Sequence, residues 1–346
     1  MKKLYLYELK KLCDVIAILT FIALMGVKLL DIIHYTPEYD FSVEYYREYI
    51  DIVYGEANDE KGEYIENERQ YIEDTISRKD EMEQAFSSGK ITLDEFNEYY
   101  KEYNYALSHF GAMMHLYEKY QYFETMKGTE RTPVYFYDLD AIEYLKEFGA
   151  DALFLIFIIV FGLRAWNLDR QHGMLLSVSA TKFGRLRKEN MQLAALSSVA
   201  VVGSVISFSL DIIIFCARCG SEQLSMPLYS MQEFGGCQYN VSILDYMLLV
   251  LLIRLIWSVA LSFIIAAVYK LIGNMYACIA VSAGVIFIPL ATGEVLPQWL
   301  RTALAGSQLT GFSVLESSVP LSIPTAAATA AAMYGIIILI TKKKRV

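Results

Sequence analysis

The chain has 346 residues, 55% of them hydrophobic, and its mean hydropathy is +0.33. Apolar runs near the ~20 residues that cross a bilayer set it apart from a soluble globular domain. Its formal charge of −9 is uneven: residues 36–147 hold 27 acidic and 11 basic side chains, and the remainder 12 and 19. An acidic, water-facing insert therefore sits in a basic membrane body, and no nucleic-acid partner is expected.

Six candidate spans appear: Cys13–Ile33, Phe148–Leu163 with its flanks, Leu193–Phe215, Ile243–Tyr269, Leu271–Thr292 and Thr325–Ile340. The expected fold is an all-α polytopic membrane protein with six transmembrane helices. A helical-hairpin extracellular domain is inserted between the first and second. Residues 1–35 form an interfacial helix and first span, 36–147 the extracellular domain, and 148–346 a five-span membrane body with a cytoplasmic loop at 164–192.

Met1–Leu12 reads as an amphipathic interfacial helix, with Tyr5, Leu9 and Leu12 on one face and lysines on the other. The following span lacks a small-x-small cleavage site. Lys28 and Asp31 near its end can reach the outer headgroups, so a retained span is expected rather than a signal peptide.

In the insert, Gly55 separates a first helix (Ser42–Tyr54) from a second (Asn58–Phe86), and Ser87-Ser88-Gly89-Lys90 makes a turn. Thr92 and Glu95 have capping-box spacing at the start of a third helix. There Phe96, Tyr100, Tyr103, Leu107, Phe110, Met114 and Tyr117 follow a 4-3 pattern, which predicts a coiled-coil-like seam in an antiparallel hairpin.

After the second span, residues 164–192 carry six basic side chains (Arg164, Arg170, Lys182, Arg185, Arg187, Lys188) against Asp169 and Glu189. A short basic loop between spans belongs on the cytoplasmic side. Met174-Leu175-Leu176 can form an amphipathic turn that Gly184 ends. With six spans, Lys2, Lys3, Lys10, Lys11, this loop, Lys270 and Lys342–Arg345 all share one side, which places both termini in the cytoplasm.

Asp211 and Arg254 fall inside the third and fourth spans, where charge must face protein or water. They fit either a structural ion pair or the lining of a substrate path. Cys216, Cys219 and Cys237 are external and permit one disulfide or three free thiols, while Cys13 and Cys278 read as small apolar span residues. Pro320 and Pro324 suit a helix start before the alanine-rich last span, whose small residues favour close helix packing. Residues 293–322 return outside, with Trp299 at headgroup level.

No chemistry of catalysis emerges. Gly89-Lys90 is followed by Ile91, and position 84 is Gln, so no phosphate-binding loop forms. Gly89, Ile91 and Glu95 mimic places in a calcium loop, but Gln84 and Phe86 stand where oxygen ligands are needed. His34, His109, His115 and His172 make no metal pair, and neither a nucleophile elbow nor a zinc-protease helix appears. Neither a cofactor nor an enzymatic activity is expected.

The loop nevertheless carries a pattern: Asp169, Gly173, Leu175-Leu176, then Thr181-Lys182-Phe183-Gly184-Arg185 ahead of the next span. It resembles the cytoplasmic loop of type-two ABC-exporter permeases, and Tyr7-Glu8-Leu9-Lys10-Lys11 resembles that family's N-terminal helix. Asp169 replaces the family's usual Glu and keeps the charge; Gln192 stands where a Lys often follows the Gly-Arg. The resemblance implies a coupling helix seated on a separate ATP-binding-cassette ATPase subunit, a second permease subunit (homo- or heterodimer), and a bacterial plasma-membrane location. It further implies that Asp169, Gly173, Leu175, Leu176, Lys182, Gly184 and Arg185 form the ATPase-coupling site, with Asp169 and Arg185 its polar contacts and Leu175 and Leu176 its apolar plug. A rival class is a non-transporting, membrane-anchored receptor or assembly protein that works through its acidic extracellular helices.

Overall fold

The computed structural model describes residues 2–34, 38–148, 151–171, 184–291, 297, 304, 308–309 and 319–343. The fold is all-α, apart from one two-residue antiparallel pair that matches Gly55 with Tyr135 and Glu56 with Val134. Four helices are long and apolar enough to cross a membrane, their apolar stretches being Ala152–Asp169, Leu186–Cys219, Ile243–Ile272 and Val319–Lys342. The first helices, α1 (Lys2–Leu12) and α2 (Val15–His34), meet at a 53° bend and make a fifth if counted as one span.

The membrane helices run longer than their apolar cores predict. Helix α8 (Ala152–Gln171) starts where the Asp151 carboxylate accepts the Phe154 amide, 3.2 Å away. Helix α9 (Gly184–Cys219) has 36 residues and so reaches ~54 Å, longer than the ~30 Å hydrocarbon layer of a bilayer. Helix α10 (Ile243–Ile272) opens on a Ser242–Asp245 capping box and closes at Gly273, whose φ of 73° only glycine adopts without strain. The Asn274 carboxamide then accepts the Tyr276 and Ala277 amides and starts α11 (Met275–Ala291). The span expected over Leu271–Thr292 is thus cut back to a shorter apolar helix. Helix α12 begins at Val319, with Pro324 inside it, and runs to Lys343. Ser322 meets Trp257 and Tyr334 meets Phe263, so α10 and α12 run in the same direction.

Outside the membrane body, α3 (Val43–Val53) is N-capped by Ser42, and α4 (Asp59–Ser77) by Asn58. The predicted helix over Asn58–Phe86 is two helices. Arg78, with ψ near zero, ends α4 and starts α5 (Lys79–Ser87), which lets Phe86 stack on Phe96 at 4.5 Å. The Thr92–Glu95 capping box is formed at the start of α6 (Leu93–Glu124).

The α6 seam lies one residue earlier than its 4-3 pattern indicates. Tyr99, Ala106, His109, Met113, Leu116 and Phe123 are buried, whereas Tyr100, Leu107 and Phe110 are exposed. Size decides between the two adjoining apolar faces: Ala106, Gly111 and Ala112 let neighbouring backbone come close. A β-carbon at Gly111 would sit 2.7 Å from Phe41 Cβ. The polar pin inside this layer is Lys119, 2.7 Å from Asp138 and 3.2 Å from the Phe136 carbonyl.

The insert is also not a free-standing hairpin. Its return through α7 (Leu139–Glu147) shares the membrane body's core, with Tyr144 edge-on to Phe215. The α9–α10 connector is bolted to it: Arg131 donates to Asn240, Gly235 O and Cys237 O, and Tyr122 donates to Tyr229 O at 2.9 Å. Residues 38–147 and 220–242 thus form one layer at one end of the membrane helices.

Candidate functional site

Two buried charge clusters fasten opposite ends of the membrane helices. The inner one surrounds the roots of the 164–192 loop. On α1, Glu8 and Lys11 lie one turn apart and pair at 2.6 Å. Lys11 also reaches Asp169 Oδ1 at 2.7 Å, and Lys188 reaches Asp169 Oδ2 at 2.9 Å. Gln192 donates its amide to the same carboxylate.

Two carboxylates balance two ammonium groups there, and Asp169 is only 2% exposed. Its oxygens are taken up within the chain, binding the end of α8 to the start of α9 and both to α1. Around this knot Arg164 holds Asp14 at 2.8 Å, Lys270 pairs with Glu189, and Tyr334 donates to Asn190 at 3.2 Å. The N-terminal bend, both loop roots, the α10–α11 turn and the later part of α12 therefore gather at one end.

Gly173, Leu175, Leu176 and Lys182 lie outside the described residues. Gly184 and Arg185 begin α9, and the Arg185 side chain is likewise outside the description.

The outer cluster contains the predicted Asp211–Arg254 pair, 3.5 Å apart, but is larger than that pair. Lys28 turns inward instead of toward headgroups, because two carboxylates await it: Asp151 at 2.9 Å and Asp211 at 2.7 Å. Ser207 accepts from Lys28 at 2.8 Å and donates to Asp151. Arg254 donates to Phe148 O at 2.6 Å and Leu309 O at 3.3 Å.

Four charges of zero net sum thus tie α2, α8, α9 and α10 together. Buried ion pairs of this kind add little net stability, but losing one partner strands the other. Beside them lies a cavity of about 10 Å³, bordered by Asp151, Ser204, Ser207, Arg254 and Ser258. That is room for at most about one water molecule.

All five cysteines are free thiols, and Cys219 and Cys237 are buried. Burial raises the Cys237 thiol's pKa. No group of three or more metal-ligating side chains occurs among the described residues.

Sequence reasoning missed Glu8, Lys11, Lys28, Asp151 and Lys188 as cluster members. Their signal was present: Glu8 and Lys11 share an i,i+3 face, and Asp151 interrupts the apolar run just before α8. Compared with protein-family models, curated proteins and solved structures, the chain finds no match.

Proposed function

We propose that this chain is the membrane-spanning permease subunit of an ATP-driven ABC exporter in a bacterial plasma membrane. It works with a separate ATPase subunit and a second permease subunit, and both termini are cytoplasmic. In this reading the bent α1–α2 pair, α8, α9, α10, α11 and α12 make six crossings. Residues 172–183 carry the coupling turn.

The observation that supports it best is the knot at Asp169. A push on a loop whose roots were loose would be lost in side-chain motion. Here the roots are joined to each other and to α1 through Lys11, Asp169 and Lys188, so displacement of the loop moves three helices together. At the opposite end, the Lys28–Asp151–Asp211–Arg254 cluster holds α10 to that unit. Outward opening separates Arg254 from Asp211, giving two packed arrangements for ATP binding to bias. Asp169 then positions the loop, while Leu175, Leu176 and Arg185 make the contact with the ATPase.

The test is co-purification of an ATPase with the wild-type chain and with a Leu176→Asp, Arg185→Glu double variant. Wild type recovers the ATPase and the variant loses it; equal recovery from both removes the exporter reading. One observation favours the rival receptor reading: the exposed apolar strip of Tyr100, Leu107 and Phe110 on the external layer.

A further inference from the structure

Between the bent α1–α2 pair and α9 runs an apolar groove of about 580 Å³, floored by Ala17 and Gly203. That volume falls within the ~300–1,000 Å³ of small-molecule sites. The hydroxyls in its lining, those of Tyr5 and Ser198, are hydrogen-bonded to each other at 2.9 Å. An occupant therefore meets hydrocarbon and no free hydroxyl. Exposed Ile16, Leu19 and Val205 flank the same helices, so the groove opens on a surface suited to lipid tails.

Charge at one end of α1 specifies the rest of the occupant. The lysines do not all oppose Tyr5, Leu9 and Leu12 as the sequence pattern suggests: Lys2 stands on the same helical stripe as these three groove-lining residues. Lys2 and Lys3 are exposed and have no acidic partner among the described residues. The neighbouring carboxylates of Glu8, Asp14 and Asp169 are each already held by a cation. A hydrocarbon slot beside unmatched ammonium groups fits an amphiphile with an anionic head and a chain-like tail.

We propose that this groove holds one acyl chain of an anionic glycerophospholipid, with its phosphate against Lys2 and Lys3. The site stands on the groove and its lysines alone and does not depend on the transport reading. Lipid occupancy braces α1 against α9 beside the inner charge knot, which makes membrane composition a determinant of how firmly the loop roots are held.

Native mass spectrometry of the full chain in detergent tests this, with phosphatidylglycerol and phosphatidylcholine of identical chains as probes. One phosphatidylglycerol stays bound, retained about thirtyfold over phosphatidylcholine, as two lysines facing an anionic head imply. Val202→Trp and Ile18→Trp fill the groove from exposed positions on different helices, and each abolishes retention. Lys2→Glu with Lys3→Glu makes the two lipids equal, and these surface changes carry the test should a tryptophan disturb the helices. Equal retention of both lipids by wild type, or undiminished phosphatidylglycerol in the tryptophan variants, overturns the proposal.

Discussion

Replacing Asp169 with asparagine removes the one carboxylate that faces both Lys11 and Lys188. The Lys188 side chain is 6% exposed and that of Lys11 13%, so neither ammonium recovers full hydration when its partner goes. Stranding one buried charge costs ~3–5 kcal/mol. Lys11 keeps Glu8 at 2.6 Å, which sets the expectation at the low end, ~3 kcal/mol, almost all of it from Lys188. At ~2 °C per kcal/mol for a chain of this size, the melting point in detergent falls by ~6 °C. Lys188→Met alone leaves Asp169 with Lys11 and Gln192 and costs less, ~1–2 kcal/mol. The double variant then costs less than the two singles summed, by ~3 kcal/mol, because the stranded ammonium is gone. Arg69→Ala serves as the surface control: its pairs with Glu66 and Glu73 are part-exposed and worth under ~1 kcal/mol. The assay is thermal unfolding of the wild type and all four variants at one detergent concentration. An Asp169→Asn melting point within ~1 °C of wild type, or strictly additive costs, refutes the buried knot.

In the outer cluster, Lys28→Met leaves Asp151 and Asp211 sharing only Arg254 and destabilises by ~3–5 kcal/mol, whereas Lys28→Arg keeps most of the folded yield; equal yields from the two variants contradict the inward-facing assignment of Lys28. Intact chain unfolded without reductant takes up five alkyl groups, one for each free cysteine; uptake of three exposes a disulfide. His115 stacks on Phe41, and burial lowers its pKa, with Lys119 adding to the shift and Asp138, Glu118 and Glu233 opposing it. The unfolded chain then protonates first, so neutral His115 contributes stability above the ordinary histidine range that is lost as pH falls toward the folded value. His115→Phe loses less melting temperature than wild type between about pH 7.5 and 5.5; an unchanged or steeper loss counts against this.

Local signals in the chain translated directly into structure. The side chains of Ser42, Asn58 and Thr92 each cap a helix where the sequence starts one. These depend on a few neighbouring residues and their hydrogen bonds. What depended on distant partners was misread. The α6 pattern offers two apolar faces one residue apart, and only the presence of Phe41, α3 and α4 selects the face with the small residues. Lys28 read as a headgroup contact because Asp151 and Asp211 stand more than a hundred residues away. Asp211–Arg254 was legible because a charge inside an apolar run demands a counter-charge, but that rule names neither the third nor the fourth member. The inner knot hid for the opposite reason: Lys11, Asp169 and Lys188 stand at span ends, where charge is ordinary and needs no partner.

The coupling role requires residues 172–183 to face the cell interior. Ser177→Cys, introduced after the five native cysteines are replaced, reports that directly with a membrane-impermeant maleimide. Lys90→Cys, in the exposed turn between α5 and α6, is the outside reference. The prediction is that intact cells label position 90 at once and position 177 only after permeabilisation. Labelling of position 177 on intact cells, at the rate of position 90, contradicts the coupling role and the orientation together.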